Sequence, residues 1–193
     1  MFIQVIQAKS TRRDEVRALM DEWTELPSEG FGFLGGTYGF TDDDEFIGVV
    51  RFESKEKAMA NSARPETDAM AKRMAELMDG PPEFQDCDDV TTWLEGGSDD
   101  AGFVQVIQGR TDEPDRMKVG MTQDAEDMRQ QRPDVIGGTL AFTDDGRFTT
   151  TVAFTDEASA REGEKNSEPP EEFTELSRDV KFYDLRDPWF ASA

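Results

Sequence analysis

The chain has 193 residues, 43 of them Asp or Glu against 21 Lys or Arg, no His, and a formal net charge of −22. Such a surface repels phosphate backbones and anionic lipid, so neither nucleic acid nor a membrane is an expected partner. A single cysteine, Cys87, excludes an intramolecular disulfide and fits a reducing compartment, and no apolar run nears the roughly 20 residues that span a bilayer; the expected location is the cytoplasm.

Phe2–Gln7 reads as a strand covered on both faces, with Ile3 and Val5 beside Gln7 on one and Phe2 and Ile6 beside Gln4 on the other. Ser10 or Thr11 can cap the helix that follows, where Val16, Leu19, Met20 and Trp23 form one stripe and Leu26-Pro27 ends it. Phe33–Phe40 and Phe46–Phe52 are two further strands joined at Thr41-Asp42-Asp43-Asp44 as a hairpin. Ser54 caps a helical segment with Ala58 and Met59, Pro65 interrupts it, and a second run carries Met70, Met74, Leu77 and Met78. Phe84–Val90 is the last expected strand of this half, and Gly96–Gly102 has the composition of a linker.

The same series then repeats. Phe2-Ile3-Gln4-Val5-Ile6-Gln7 returns as Phe103-Val104-Gln105-Val106-Ile107-Gln108, and Gly35-Gly36-Thr37 as Gly137-Gly138-Thr139, at offsets of 101 and 102. Phe46, Val50, Phe52 and Ala58 stay in register with Phe148, Val152, Phe154 and Ala160. The expected fold class is therefore α+β: a first ferredoxin-like β-α-β-β-α-β repeat over 1–95, a linker over 96–102, and a second repeat over 103–193 that ends in an apolar tail. One sheet face of a lone repeat would stay apolar and bare, so two copies in one chain should bury it between them, and a monomer would suffice. Trp189 and Phe190 in the tail are too apolar to wave freely and should dock on a neighbouring surface or another chain.

The repeat order, the Gly-Gly-Thr strand entry, and Asn61-Ser62 before Pro65-Glu66 with Asn166-Ser167 before Pro170-Glu171 resemble the dimeric α+β barrel superfamily, and within it a tandem protein of the antibiotic biosynthesis monooxygenase type. The resemblance implies an intramolecular barrel between two sheets, with a pocket between each sheet and its helices. In that superfamily the pockets host cofactor-free oxygenation of aromatic or quinol substrates, haem degradation, or no demonstrated chemistry. Haem-degrading members hold iron through histidine, which this chain lacks, so haem bound in that way is excluded.

No sequence motif names a reaction, and with no His the available groups are Asp, Glu, Arg, Tyr, Asn and Cys. Trp23, Tyr38, Arg51 and Asn61 are placed to line a cleft in the first half; their structural readings are core aromatic, paired sheet-edge cation and helix-break cap. Gln4 and Gln105 need partners in apolar strands, from a structural network or from a ligand. Aligning the first helices sets Leu19 against Gly120 and Trp23 against Asp124, so the second half should either open a cavity beside Gly120 or draw its helix inward, with Asp124 the acid or base if buried. Asp42-Asp43-Asp44-Glu45 and Asp86-Cys87-Asp88-Asp89 have the wrong spacing for a calcium loop and read as turn and surface acids, so no metal is expected. Cys87 reads as a packing residue. The expected function is small-molecule binding, extending to cofactor-independent monooxygenation of an aromatic or quinol substrate; the alternative is a noncatalytic binding or assembly protein with filled pockets.

Overall fold

The computed structural model describes residues 1–24, 26, 30–94, 96–123, 125–166 and 171–192, with the side chains of 126, 127, 171 and 172 outside that description. Along the chain run β1 Phe2–Lys9, α1 Arg13–Thr24, β2 Phe33–Phe40, β3 Glu45–Phe52, α2 Lys55–Ser62, α3 Pro65–Leu77, β4 Glu83–Cys87 and β5 Asp89–Trp93. The series continues with β6 Phe103–Arg110, α4 Pro114–Gln123, α5 Ala125–Gln131, β7 Val135–Phe142, β8 Arg147–Phe154, α6 Glu157–Asn166, α7 Glu171–Leu176, β9 Arg178–Leu185 and β10 Trp189–Ala191. They form two antiparallel five-stranded sheets, ordered β10-β2-β3-β1-β4 and β5-β7-β8-β6-β9. Two ferredoxin-like α+β repeats therefore stand in tandem. No helix among the described residues is long and apolar enough to cross a membrane.

The two compact units do not divide the chain where the repeat does: one comprises Met1–Asp88 with Trp189–Ala193, the other Asp89–Pro188. The expected last strand Phe84–Val90 is in fact two. Glu83–Cys87 pairs with β1, while Asp89–Trp93 pairs with β7 of the other sheet. The reason lies just past Val90, where Thr91, Thr92 and Trp93 extend the β-branched and aromatic run far enough to make a strand of its own. Likewise Trp189, Phe190 and Ala191 pair with Tyr38, Thr37 and Gly36 on β2. Within the span read as a linker, Ala101 is buried and the Gly102 amide donates to the Phe154 carbonyl oxygen, so this stretch lies packed on the second unit.

In the first unit the helix-side face of the sheet presents Phe2, Ala8, Phe46, Val50 and Phe52 to Val16, Met20, Ala58 and Met78. In the second, Phe103, Ile107, Phe148 and Phe154 meet Met117, Met121, Ala160 and Phe173. Full burial of each Val, Ile, Phe or Met side chain among these contributes about 1.5–3 kcal/mol. Alternation along β1 and β3 turns Ile3, Val5, Ile47 and Val49 to the opposite face, where they are buried as well. Polar contacts fix the helix starts. The Ser10 hydroxyl accepts from the Arg12 amide and donates to the Leu77 carbonyl oxygen at 2.7 Å, joining the entry of α1 to the end of α3. Ser54 caps α2 through the Lys57 amide.

Gly36 and Gly138 mark equivalent places on β2 and β7. Each lets an aromatic group lie flat on the strand: the Tyr38 hydroxyl end over Gly36, the Trp93 indole over Gly138. A methyl group at Gly138 would strike the Thr151 carbonyl oxygen and stand 2.6 Å from the indole. Gly138→Ala is accordingly expected to lower unfolding free energy by about 1–3 kcal/mol in urea titrations, as overpacked cores do. Gly80→Ala, with nothing within 4 Å of the added carbon, should shift it by no more than about 0.5 kcal/mol.

Candidate functional site

A cavity of about 350 Å³ lies between the sheet and the helices of the first unit. Its floor is the helix-side sheet face: Gln4 and Ile6 from β1, Tyr38 from β2, Phe46, Val50 and Phe52 from β3, and Ala191 from β10. Its roof is a stripe of α3 at helical spacing, Thr67, Asp68, Ala71, Met74 and Ala75, with Met78 just past the helix end, closed on the other side by Met20 and Trp23 of α1. Ala71 and Ala75 are small and exposed, as is Phe84 on the sheet-edge strand β4, so the cavity meets solvent along this side of α3.

Polarity along the roof is graded. The end at Met74, Ala75 and Met78 is apolar, whereas Asn61, Ser62, Arg64 and Thr67 gather where α2 gives way to α3. Pro65 causes the break, because it occupies the first position of α3 and makes Arg64 its N-cap residue. The Arg64 side chain is only 14% exposed and stacks over the Phe31 ring at 4.4 Å. It donates to Asn61 Oδ1 at 3.3 Å and lies 3.9 Å from the Glu66 carboxylate. Thr67, one turn on, is 6% exposed, and its hydroxyl oxygen has no hydrogen-bond partner among the described residues. A buried hydroxyl left in that state costs about 1–3 kcal/mol.

Tyr38 is 5% exposed and meets both Phe46 and Trp189, at ring separations of 6.4 and 6.1 Å, in a three-ring cluster. Burial pushes its hydroxyl up to about 12, with the nearby Arg51 charge pulling it partly back, so the phenol is a neutral donor at ordinary pH. Asp68 is the one carboxylate on the lining among the described residues; it is exposed and paired with Lys72 at 2.7 Å.

Four residues that sequence reasoning placed in a site thus meet at one cavity: Gln4, Trp23, Tyr38 and Asn61. Arg51 is outside its lining, since neighbouring positions on a strand face opposite ways; it donates to Thr37 Oγ1 at 3.1 Å. Gln105 is 6% exposed and donates to Asp184 Oδ1 at 3.1 Å and Glu164 Oε1 at 3.4 Å, just as Gln4 donates to Asp86 at 2.9 Å. The Gln4 amide is thus held by its own sheet, and the Gln105 amide by its sheet and α6. Gly120 is buried in α4 between Met117 and Met121, and Asp124 lies outside the described residues.

Arg64, Thr67 and Ala191 were missed. The available signal for the first was an Arg set directly before Pro, where a capping Ser, Thr or Asp would be usual. The acidic runs are turn and surface groups: Asp44 pairs with Arg13, and Asp86 and Asp88 with Lys55. Cys87 is wholly buried, with the Gln85 amide 3.7 Å from its sulfur.

No family model and no curated protein matches the sequence. Solved structures do. A candidate monooxygenase from Lactobacillus acidophilus NCFM superposes with a TM-score of 0.75 at 12% identity, over 99% of this chain and 95% of its own. An anthrone oxidase-like protein gives 0.64 at 10%, over 100% and 94%. A ferredoxin-fold protein related to antibiotic biosynthesis monooxygenases, from Listeria monocytogenes, gives 0.52 at 12%, over 95% and 94%. At such identities the likeness establishes the fold, a tandem ferredoxin-like one shared with proteins of this type.

The environment of Tyr38 has a measurable consequence. Its folded value stands above the ordinary 10, so the stability it contributes is intact below pH 10 and is lost as pH rises toward 12. The full effect is of the order of 3 kcal/mol. Urea unfolding of wild type and Tyr38→Phe across this window should show a steeper alkaline loss in wild type, and absorbance near 295 nm should show an ionisation near pH 12 that the variant lacks.

Proposed function

We propose that the first unit binds a compact aromatic molecule carrying one oxygen acceptor. Thr67 carries this reading: a residue of the cavity lining whose buried hydroxyl has no hydrogen-bond partner among the described residues, in a cavity otherwise built from Ile6, Phe46, Val50, Phe52 and Met74. A ligand oxygen there would accept from Thr67 and lie near Arg64, while the ring system filled the apolar end. The size falls within the range of small-molecule pockets, with convergent polar groups at one end. Such a cavity supports the ligand reading over a filled first unit. The net charge of −22 and the pairing of Arg64 with Asn61 and Glu66 favour a neutral acceptor, a phenol or carbonyl oxygen, over a carboxylate.

Oxygenation of that ligand by O2 alone is the second reading, favoured by the presence of both a carboxylate, Asp68, and a protonated phenol, Tyr38, on the lining. Two of the solved neighbours bear the names candidate monooxygenase and anthrone oxidase-like protein. In the reaction, Asp68 would take a proton from an activated ligand CH2, and the resulting anion would pass its electrons to O2. One oxygen atom would end in the new carbonyl group and the other in water, so the four electrons lost by carbon match those gained by O2. Tyr38 and Arg64 would stabilise the anion by hydrogen bonding and charge.

Binding is tested by quenching of Trp23 fluorescence with 2-naphthol and with naphthalene. Thr67→Val removes the hydroxyl but keeps the shape, so it is expected to stabilise the free protein by about 1 kcal/mol and to weaken 2-naphthol while sparing naphthalene. Equal effects on the two would overturn the assigned role of Thr67. For the oxygenation reading, an oxygen electrode with anthrone should register uptake by wild type above the spontaneous rate. Asp68→Asn should abolish it with binding retained; uptake unchanged in Asp68→Asn sinks that mechanism.

A further inference from the structure

Among the described residues a cavity is seen in the first unit and a ring-filled core in the second, and the register of the sheets locates the difference. Tyr38 and Leu140 are equivalent, as are Gly36 and Gly138, because both pairs stand 102 apart in aligned strands β2 and β7. Ala191 pairs with Gly36, and Trp93 pairs with Gly138. Ala191 of β10 is therefore the positional counterpart of Trp93 of β5, although the two strands have no likeness in sequence. Both point to the helix side of their sheets: Ala191 packs with Phe46, Val50 and Phe52, and Trp93 with their counterparts Phe148, Val152 and Phe154.

Each sheet holds one ring over its bare glycine, but from different sources. In the first unit it is Tyr38, from the strand itself, with Ala191 alongside; in the second it is Trp93, from the added strand, with Leu140 alongside. The exchange changes where space remains: β10 sets its indole, Trp189, on Tyr38 and leaves only Ala191 beside Gly36, whereas β5 sets its indole directly over Gly138. Trp93 is 4% exposed, and its indole nitrogen has no hydrogen-bond partner among the described residues, so its ring volume outweighs an unsatisfied N–H. Phe173 of the six-residue α7 adds to the filling, its ring edge-on to Phe148 at 5.8 Å. The first unit has instead the thirteen-residue α3, whose facing positions include Ala71 and Ala75.

We infer that the Tyr38–Ala191 pair, set against Leu140–Trp93, determines which unit accepts a ligand, and that Ala191 is the residue that limits ligand size in the first. This rests on the binding reading of the cavity. It assigns a specificity role to the last strand of the chain and makes the expected stoichiometry one ligand per chain.

The experiment is calorimetric titration with 2-naphthol of wild type, Ala191→Leu, the double variant Tyr38→Leu/Ala191→Trp, and the reverse double variant Trp93→Ala/Leu140→Tyr. Near-ultraviolet circular dichroism and melting confirm folding of each. Wild type should take up one equivalent. Ala191→Leu should weaken binding at least about tenfold, the loss of 1.4 kcal/mol or more that overpacking of a ligand site brings. The first double variant, which copies the pair of the second unit, should remove binding, and the reverse one should raise the stoichiometry toward two. Wild-type affinity in a folded Ala191→Leu overturns the inference. So does unchanged stoichiometry in a folded reverse variant. Should either double variant unfold, Ala191→Leu alone decides. Failure of wild type to bind 2-naphthol or naphthalene defeats the binding reading itself and is a distinct result.

Discussion

The backbone pairing of Trp189–Ala191 with β2 is the contact on which the first unit depends. An antiparallel sheet ending at β2 would leave a row of amides and carbonyls unpaired, a place where strands from elsewhere add readily. Three residues from the far end of the sequence cover it, and they bring side chains as well as hydrogen bonds. Trp189 lies against Tyr38, Phe40 and Phe46, with the Arg17 guanidinium 5.0 Å from its ring. Ala191 then sets the width of the cavity floor. Edge protection, aromatic packing and one part of the cavity floor are thus settled by one short strand, so a change there acts on stability and on the shape of the cavity together.

Much of this architecture can be read from the sequence because the repeats confirm one another. A single Gly-Gly-Thr is weak evidence, but two copies 102 residues apart, each after a strand and before a hairpin, constrain register. The hairpin turns illustrate it: Gly146 takes a positive φ of 79°, and its counterpart Asp44 takes 63°, a conformation that Asp tolerates better than most residues. What the repeat concealed is the fifth strand of each sheet. Asp89–Trp93 and Trp189–Ala191 are related by position and not by composition, and comparison of letters cannot detect equivalence that arises from pairing to a common edge.

The same limit explains the site. Comparing α1 with α4 exposed the contrasts Leu19/Gly120 and Trp23/Asp124 and directed attention to a cavity beside Gly120. Gly120 is drawn into the core between Met117 and Met121, as a residue without a side chain permits when a helix approaches closely. The cavity the structure shows lies under the bulkier helix, because the governing residues are on other elements: Ala191 against Trp93, and a long α3 against a short α7. Tyr38, Trp23, Gln4 and Asn61 were recognisable as aromatic or amide groups in apolar surroundings. Arg64 and Thr67 acquire meaning only when Pro65 starts a new helix and turns both toward the floor.

An opened core has an energetic consequence that duplication helps to absorb. Walls facing a cavity forfeit the dispersion contacts that a packed interior gains, and the Thr67 hydroxyl adds a desolvation cost. In the second unit Trp93, Phe173 and Phe148 restore such contacts, and ion pairs join Arg161 to Asp184 and Glu164 and Arg186 to Glu157. Divergence between two copies in one chain separates demands that a single copy must reconcile. One unit can be filled with aromatic side chains while the other keeps open volume between sheet and helices. The small residue at Ala191 is then the counterpart of the large one at Trp93, each being what its unit requires at the same point of the sheet.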